Sequence, residues 1–371
     1  MNGRIYLDHN ATTPLAPEVA AAMRPYLTDD FGNPSSAHWA GMPARDAVEA
    51  ARSQVAALLC CDATEIVFTS GGTEANNQAI KGLFFPMKVR GKSAHFIISQ
   101  VEHPAVLEPC RFVEQLGAEV TRLPVDRFGL VDPDDVRHAI RSETVLVSVM
   151  HANNEVGTIQ PVEDIARIAH EHGVLCHTDA AQTVGKISVD CEALGVDLLT
   201  LVGHKLGVGA LFIREGVDVE PLLHGADHEA GRRASTENVL EIVGLGAACR
   251  VATDRIENAQ ATELRDHFWQ RLVDQFGTSV SLNGHPEWRL PNTLNVSFSG
   301  HIGGELLAQL PEVAASTGAA CHAGRAEMSP VLRAMGVKET LGLGAIRFSL
   351  GRETTIAEID QVVERLATTA R

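Results

Sequence analysis

The sequence lacks any apolar run approaching the roughly 18 residues that a helix needs to cross a bilayer. Its first residues, Met1-Asn2-Gly3-Arg4-Ile5-Tyr6-Leu7-Asp8, have neither a signal-peptide nor a transit-peptide pattern. Basic residues are scarce: 31 Lys and Arg stand against 47 Asp and Glu in 371 residues, a net charge of −16. That balance argues against nucleic acid and anionic membranes as partners. The acidic residues are spread along the chain and form no acidic tail. The seven cysteines (60, 61, 110, 176, 191, 249 and 321) are odd in number, and none has the CxxC spacing of a metal site. A reduced, cytoplasmic setting fits this better than a disulfide framework. Internal repeats and low-complexity segments are absent as well.

The chain does carry short continuous apolar runs: 65–69, 95–99, 145–150, 174–178 and 198–202, with a return run at 209–213. Helical spacing lies between them, as in Ala47, Val48, Ala51, Val55, Leu58 and Leu59. Unbroken apolar strands separated by helices predict an α/β fold, with a mostly parallel sheet covered on both faces. After the first run, Ser70-Gly71-Gly72-Thr73-Glu74 opens a helix, an arrangement that aims backbone N–H groups at an anion. Ligands of such sheets bind beyond the carboxyl ends of the strands. Polar residues gather there: His103 after one run, Asn153, Asn154 and Glu155 after the next, then Asp179 and Gln182, then His204 and Lys205.

A helix near 238–251 and a long one from about 253 to 276 lead into a second, smaller α/β unit. That unit has strands expected at 279–283, 292–298 and 345–350. It closes with a helix opened by the capping box Thr355-Ile356-Ala357-Glu358. The expected division is a large domain over 15–255 and a small one over 256–371, joined by segment 1–14. His224, His228 and Glu229 suggest a metal site, but their spacing matches no metalloenzyme motif, so no metal is expected. The segment 315–324 is small and glycine-bearing, and Cys321 sits in its polar part rather than in an apolar run, which suits a reactive thiol. Lys205 ends a buried run. A lysine there is costly unless it is paired or neutralised, for instance as a Schiff base with an aldehyde cofactor.

Several stretches together resemble the cysteine desulfurases and selenocysteine lyases of the class V aminotransferase group, which are fold-type I pyridoxal-phosphate enzymes. They are Leu7-Asp8-His9-Asn10-Ala11-Thr12-Thr13-Pro14, Phe31-Gly32-Asn33-Pro34-Ser35-Ser36 and Thr69-Ser70-Gly71-Gly72-Thr73-Glu74. Met150-His151-Ala152-Asn153-Asn154-Glu155, His177-Thr178-Asp179-Ala180-Ala181-Gln182, Gly203-His204-Lys205 and Ile346-Arg347-Phe348-Ser349 continue the match in order. The resemblance implies that Lys205 holds the cofactor and that Asp179 pairs with its ring nitrogen, keeping it an electron sink. It implies that Gln182 bonds the ring hydroxyl, that His103 stacks on the ring and relays protons, and that Gly72, Thr73, Gly203 and His204 form the phosphate end. Thr236 is expected at the phosphate of a second subunit, which implies a homodimer. Asn33, Asn154 and Arg347 are expected to bind the substrate amino acid, Asn154 to contact the cofactor as well, and Cys321 to take the substrate's sulfur as a persulfide for a sulfur-acceptor protein, releasing alanine.

The chain also departs from the pattern. Lys205 is followed by Leu206-Gly207-Val208-Gly209, about four residues fewer than the family's loop, and Val202 stands where many members have serine. Gly225-Ala226-Asp227-His228-Glu229 and Arg233-Ala234-Ser235-Thr236 replace the family's glycine-rich versions. The expected reaction is conversion of L-cysteine to L-alanine with sulfur passing to the enzyme, in service of iron–sulfur clusters, thiolated RNA or another pathway. Selenocysteine lyase, another class V activity and a non-catalytic scaffold are the alternatives.

Overall fold

The computed structural model of the protein describes residues 3–204, 207–253, 260–317 and 327–369. Its strands are β1 (Ile5–Tyr6), β2 (Ile66–Thr69), β3 (His95–Ser99), β4 (Glu119–Leu123), β5 (Thr144–Ser148) and β6 (Leu175–Asp179). They continue as β7 (Leu198–Val202), β8 (Gly209–Ile213), β9 (Val280–Asn283), β10 (Thr293–Phe298), β11 (Val313–Ala314) and β12 (Ala345–Ser349).

Seven strands form one sheet in the order β2-β8-β7-β6-β5-β3-β4. Only β8 runs antiparallel to its neighbours, β2 and β7. The carboxyl ends of β2, β3, β5, β6 and β7 therefore share one edge. The unbroken apolar runs follow from burial on both faces: β2, β3 and β8 are buried at every residue. One face is covered by a core that includes Val48 and Val55 of helix Gly41–Leu59, Ile165 of helix Val162–Glu171 and Leu245 of helix Val239–Thr253. The other is covered by Ala79 and Ile80 of helix Gly72–Val89 and by Val106 and Val113 of helix Pro104–Gln115.

The edge strand β4 is not anticipated by the sequence reading. Its Glu119 and Arg122 are exposed, so it has no apolar run to announce it. The expected helix 253–276 is described from Gln260 to Phe276; its start lies outside the described residues.

Strands β9, β10 and β12 form a second, antiparallel sheet in the order β12-β10-β9. Helices Gln260–Phe276 and Ile356–Thr369 pack on it through Phe268, Leu272, Ile359 and Val363. The expected capping box is present: Thr355 N–H donates to Glu358 Oε2 and Glu358 N–H to Thr355 Oγ1. The N-terminal segment belongs to this core. Strand β1 pairs in parallel with β11, and Ile5 and Leu7 are buried among the small-sheet residues. Residues 8–13 then cross to the carboxyl edge of the large sheet, where Asn10 meets Asn154 and Thr13 meets His204.

Candidate active site

At the end of β2, Gly71 takes a φ of 143°, and helix Gly72–Val89 starts without a side-chain cap. The first-turn N–H groups of such a helix have no intrahelical partner, and the helix dipole makes them attractive to an anion. A Cβ on Gly72 would lie 2.5 Å from Val202 Cγ1, so the backbone can approach β7 only without a side chain. The valine that replaces a family serine thus packs against the glycine turn. Arg233 Nε donates to Glu74 Oε1 at 2.8 Å, and the Ser70 N–H donates to Glu74 Oε2 at 2.9 Å. Burial works against the charge, but these bonds hold the Glu74 carboxyl below its ordinary pKa. The turn is thereby fixed to the loop that carries Thr236.

Next to it, at the end of β7, Gly203 N–H donates to Val208 O at 2.9 Å, and a Cβ there would lie 2.6 Å from Val208 Cγ1. His204 has a φ of 42°, in the left-handed region, so the backbone is strained just before Lys205. Its Nδ1 lies 3.0 Å from Thr13 Oγ1.

Asp179 ends β6 and is 6% exposed. Asn76 Nδ2 donates to its Oδ2 at 2.8 Å and the Ala181 N–H to its Oδ1 at 3.0 Å. Gln182 follows; its Nε2 donates to Asn10 O at 3.1 Å. His103 sits exposed at the start of helix Pro104–Gln115, and its Nδ1 accepts from the Ala105 N–H at 3.1 Å. An Nδ1 that accepts places the proton of a neutral imidazole on Nε2. Beside it, Glu102 is fully buried: Oε1 accepts from Ser99 Oγ at 2.6 Å and Met150 N–H at 2.9 Å. Burial, reinforced by the Asp179 charge, pushes its carboxyl up to about 8.

From the small sheet, β12 brings Arg347 to the same edge. Its Nη2 donates to Asp8 Oδ1 at 2.7 Å and its Nη1 to Asn154 O at 3.0 Å. Its Nε is buried with no partner among the described residues. Glu155 is also buried here, accepting from the Ser329 hydroxyl. Burial pushes its carboxyl up to about 7, against the bond from Ser329 and the Arg347 charge.

The profile of the family described as aminotransferase class-V matches residues 5–362. The chain belongs to the class-V aminotransferase family. Among curated relatives, a cysteine desulfurase IscS of Dictyoglomus turgidum is 48% identical, over 99% of this chain and 96% of that one. A cysteine desulfurase IscS of Methanosarcina thermophila is 47% identical over 98% and 91%. Among solved structures, a NifS-like protein superposes with a TM-score of 0.91 at 36% identity, covering 98% of both chains. A NifS-like protein of Rickettsia africae gives 0.88 at 30% identity over 99% of both. Within the family, this chain lies in the cysteine desulfurase branch.

The residues present fit the family's cofactor, pyridoxal phosphate. The uncapped helix start at Gly72 and Thr73, with no Cβ in the way, suits a phosphate, and the buried Asp179 carboxylate suits a ring nitrogen that must carry a proton. Of the residues expected from sequence, Gly72, Thr73, His103, Asn154, Asp179, Gln182, Gly203, His204 and Arg347 gather along one edge. Thr236 is exposed and lines a cavity of about 250 Å³ with Thr69, Ser70 and Gly207 of its own chain. Asn33 lies exposed in the loop before helix Gly41–Leu59, where its Oδ1 accepts from the Ser35 N–H at 2.9 Å; no hydrogen bond among the described residues ties it to Asn154 or Arg347. Lys205 and Cys321 lie outside the described residues.

Sequence reasoning did not single out Asn76, Asp8, Asn10 or Lys186. The signal for Asn76 is present in outline: it stands four residues after Gly72, one helical turn into the helix. No helix among the described residues is long and apolar enough to cross a membrane. No cluster of three or more His, Cys, Asp or Glu able to hold a metal occurs among them either.

Proposed function

We propose that this chain is a pyridoxal-phosphate-dependent cysteine desulfurase that converts L-cysteine to L-alanine and passes the sulfur to Cys321. The observation that carries the reading is the convergence, at one sheet edge, of an uncapped helix start, a buried carboxylate and a buried arginine. These are the groups that a phosphate, a ring nitrogen and a substrate carboxylate require.

Pyridoxal phosphate, when bound, supplies an electron sink for the substrate α-carbon. Gly72, Thr73, Gly203 and His204 bind its phosphate end. Asp179, held by Asn76 and the Ala181 N–H, keeps a proton on the ring nitrogen, and Gln182 bonds the ring hydroxyl. Lys205 holds the aldehyde end and moves the α-proton. His103 covers the ring, with its Nδ1 capping its helix and its proton on Nε2. Arg347, whose orientation is set by Asp8 and Asn154 O, offers its remaining N–H groups to the substrate carboxylate; Asn33 and Asn154 complete that end. The Cys321 thiolate attacks the substrate sulfur. Its electron pair forms the S–S bond, the pair of the broken C–S bond stays with the carbon, and a proton completes alanine.

We also place the boundary between the two units near residue 255. We read the enzyme as a cytoplasmic homodimer that hands persulfide sulfur to an acceptor protein, as in iron–sulfur cluster assembly, with Thr236 facing the phosphate of the second subunit. The test is alanine release from L-cysteine by the protein loaded with pyridoxal phosphate, run beside L-selenocysteine. Alanine from cysteine, with a mass gain of about 32 Da on Cys321 for one sulfur atom, is the expected result. Alanine from selenocysteine alone would replace this reading with the lyase.

A further inference from the structure

Lys186 has no role in the account so far, yet it stands at the centre of the site's hydrogen bonding. It lies four residues after Gln182, part-buried, in the turn that follows β6. Its Nζ donates to Gln182 Oε1 at 2.8 Å and to Asn10 Oδ1 at 2.8 Å. Both partners are neutral amide oxygens. Asn10 is buried and carries the connection onward: its Nδ2 donates to Asn154 O at 3.2 Å and to Thr293 Oγ1 at 2.8 Å. Asn154 O is also the acceptor of Arg347 Nη1, and Asn292 Nδ2 donates to Asn10 Oδ1 at 3.2 Å. One continuous network thus joins Gln182 at the cofactor side to Arg347 at the substrate side.

A primary amide presents an acceptor on one side and donors on the other, and only its partners decide which way it faces. With Lys186 on Oε1, a flipped Gln182 would turn its own donors toward an ammonium. Gln182 Nε2 spends one N–H on Asn10 O, which leaves it a second N–H to donate. We propose that Lys186 is a positioning residue of the desulfurase reaction, fixing the Gln182 amide as a donor toward the cofactor's ring hydroxyl and setting a positive charge behind it. The inference rests on the cofactor reading given above and adds to it the residue that orients Gln182.

The charge has a definite setting. Burial, then the Arg347 charge from β12, pushes the Lys186 ammonium down to about 7. His9, on the N-terminal segment, feels the Lys186 charge in turn: burial, then Lys186, lowers its pKa. Asp8 on the same segment is engaged by Arg347, so the Lys186 ammonium is bonded to no carboxylate among the described residues. Below about pH 7, where Lys186 carries its proton, this cation behind Gln182 disfavours added positive charge on the cofactor, so its removal raises the pH at which the bound cofactor loses its proton.

The experiment uses the full-length protein loaded with pyridoxal phosphate, as wild type, K186M, K186Q and K186R. The cofactor absorption band near 400 nm, roughly where a lysine-bound cofactor absorbs, is titrated with pH, and kcat and KM for L-cysteine are measured with the melting temperature. K186M is expected to move the titration midpoint upward by about one pH unit. It is also expected to lower kcat/KM about tenfold, the loss of one charged hydrogen bond. K186R, which keeps the cation, should return the midpoint toward the wild-type value. If K186M does not fold, K186Q carries the same expectation, because it keeps a donor and loses the charge. A purely structural role would lower the melting temperature and leave the midpoint in place; that result overturns the inference while leaving the cofactor reading intact. A wild type that shows no band overturns the cofactor reading, and this inference with it.

Discussion

Replacing Glu229 by alanine strikes the support beneath the glycine turn. Glu229 has a side-chain exposure of 2% and Arg52 one of 10%. The carboxylate accepts from Arg52 Nη1 at 2.7 Å, from Arg52 Nη2 at 3.0 Å and from the Phe68 N–H of β2 at 2.9 Å. Arg52 also donates to Ile66 O at 2.9 Å and lies over the Phe68 ring, 4.7 Å from its centroid. The variant takes the buried carboxylate from Arg52 and, among the described residues, leaves it only the exposed Glu49, 3.3 Å from its Nε, as a counter-charge; losing one partner of a buried pair costs about 3–5 kcal/mol, and Glu49 holds the loss to the lower end of that range. It also leaves the Phe68 N–H without its acceptor, for about 1 kcal/mol more. Stability should therefore fall by about 4 kcal/mol. The backbone gives no relief, because alanine at the Glu229 φ of 51° keeps the Cβ that disfavours that conformation. The assay is urea unfolding of wild type, E229A, R52M and the double variant R52M/E229L. The double variant should be more stable than E229A, since no guanidinium is left without its buried carboxylate, although among the described residues Ile66 O then keeps only Arg232 as a side-chain donor, at 3.3 Å. A loss below about 1 kcal/mol in E229A, the range of an exposed pair, would refute the reasoning. So would a double variant as unstable as the sum of the singles.

Lys205→Ala should abolish both the cofactor band near 400 nm (roughly) and alanine release while leaving the melting temperature of the unloaded protein within about a degree or two of wild type, since the role proposed for Lys205 is chemical rather than core packing. Asp179→Ala should leave the cofactor bound and cut kcat, because nothing then holds a proton on the ring nitrogen; an unchanged kcat at saturating cofactor would remove Asp179 from that role. His177 is buried between Ser148 Oγ at 2.7 Å and Thr200 Oγ1 at 3.1 Å, and burial pushes its pKa from 6.5 down to about 3. The unfolded chain therefore takes up the proton first as pH falls, so stability present above pH 6.5 is lost progressively toward pH 3, by up to about 1.4 kcal/mol per unit. His177→Gln should flatten that acid slope, measured as unfolding midpoints between those limits; an unchanged slope would show that His177 is not its source.

The large sheet was legible because most of its strands are buried on both faces and so spell continuous apolar runs. Strand β4 was not, since Glu119 and Arg122 face solvent at the sheet's edge. The site was legible as a set of strand ends: Asp179, Gln182, His103 and His204 all follow apolar runs. What holds those residues was hidden. Asn76 reads as one more polar helix residue, and only the packing of helix Gly72–Val89 on the sheet turns it toward Asp179. Asp8 and Arg347 are 339 positions apart, and nothing in either stretch predicts that they pair. Lys186 reads as a turn lysine, and its partners appear only once the N-terminal segment crosses to β6. The left-handed backbone at His204, Glu229, Ala230 and Ser235 was equally invisible, because none is the glycine or asparagine that announces it.

The most direct test of the central claim is the fate of cysteine sulfur in Cys321→Ala. Lys205, Asp179 and Arg347 are untouched in this variant, so it should still bind the cofactor and change its absorption when L-cysteine is added. It should release no alanine, while the wild type releases alanine and gains about 32 Da on Cys321. Alanine release from L-cysteine by the variant at the wild-type rate would contradict the account.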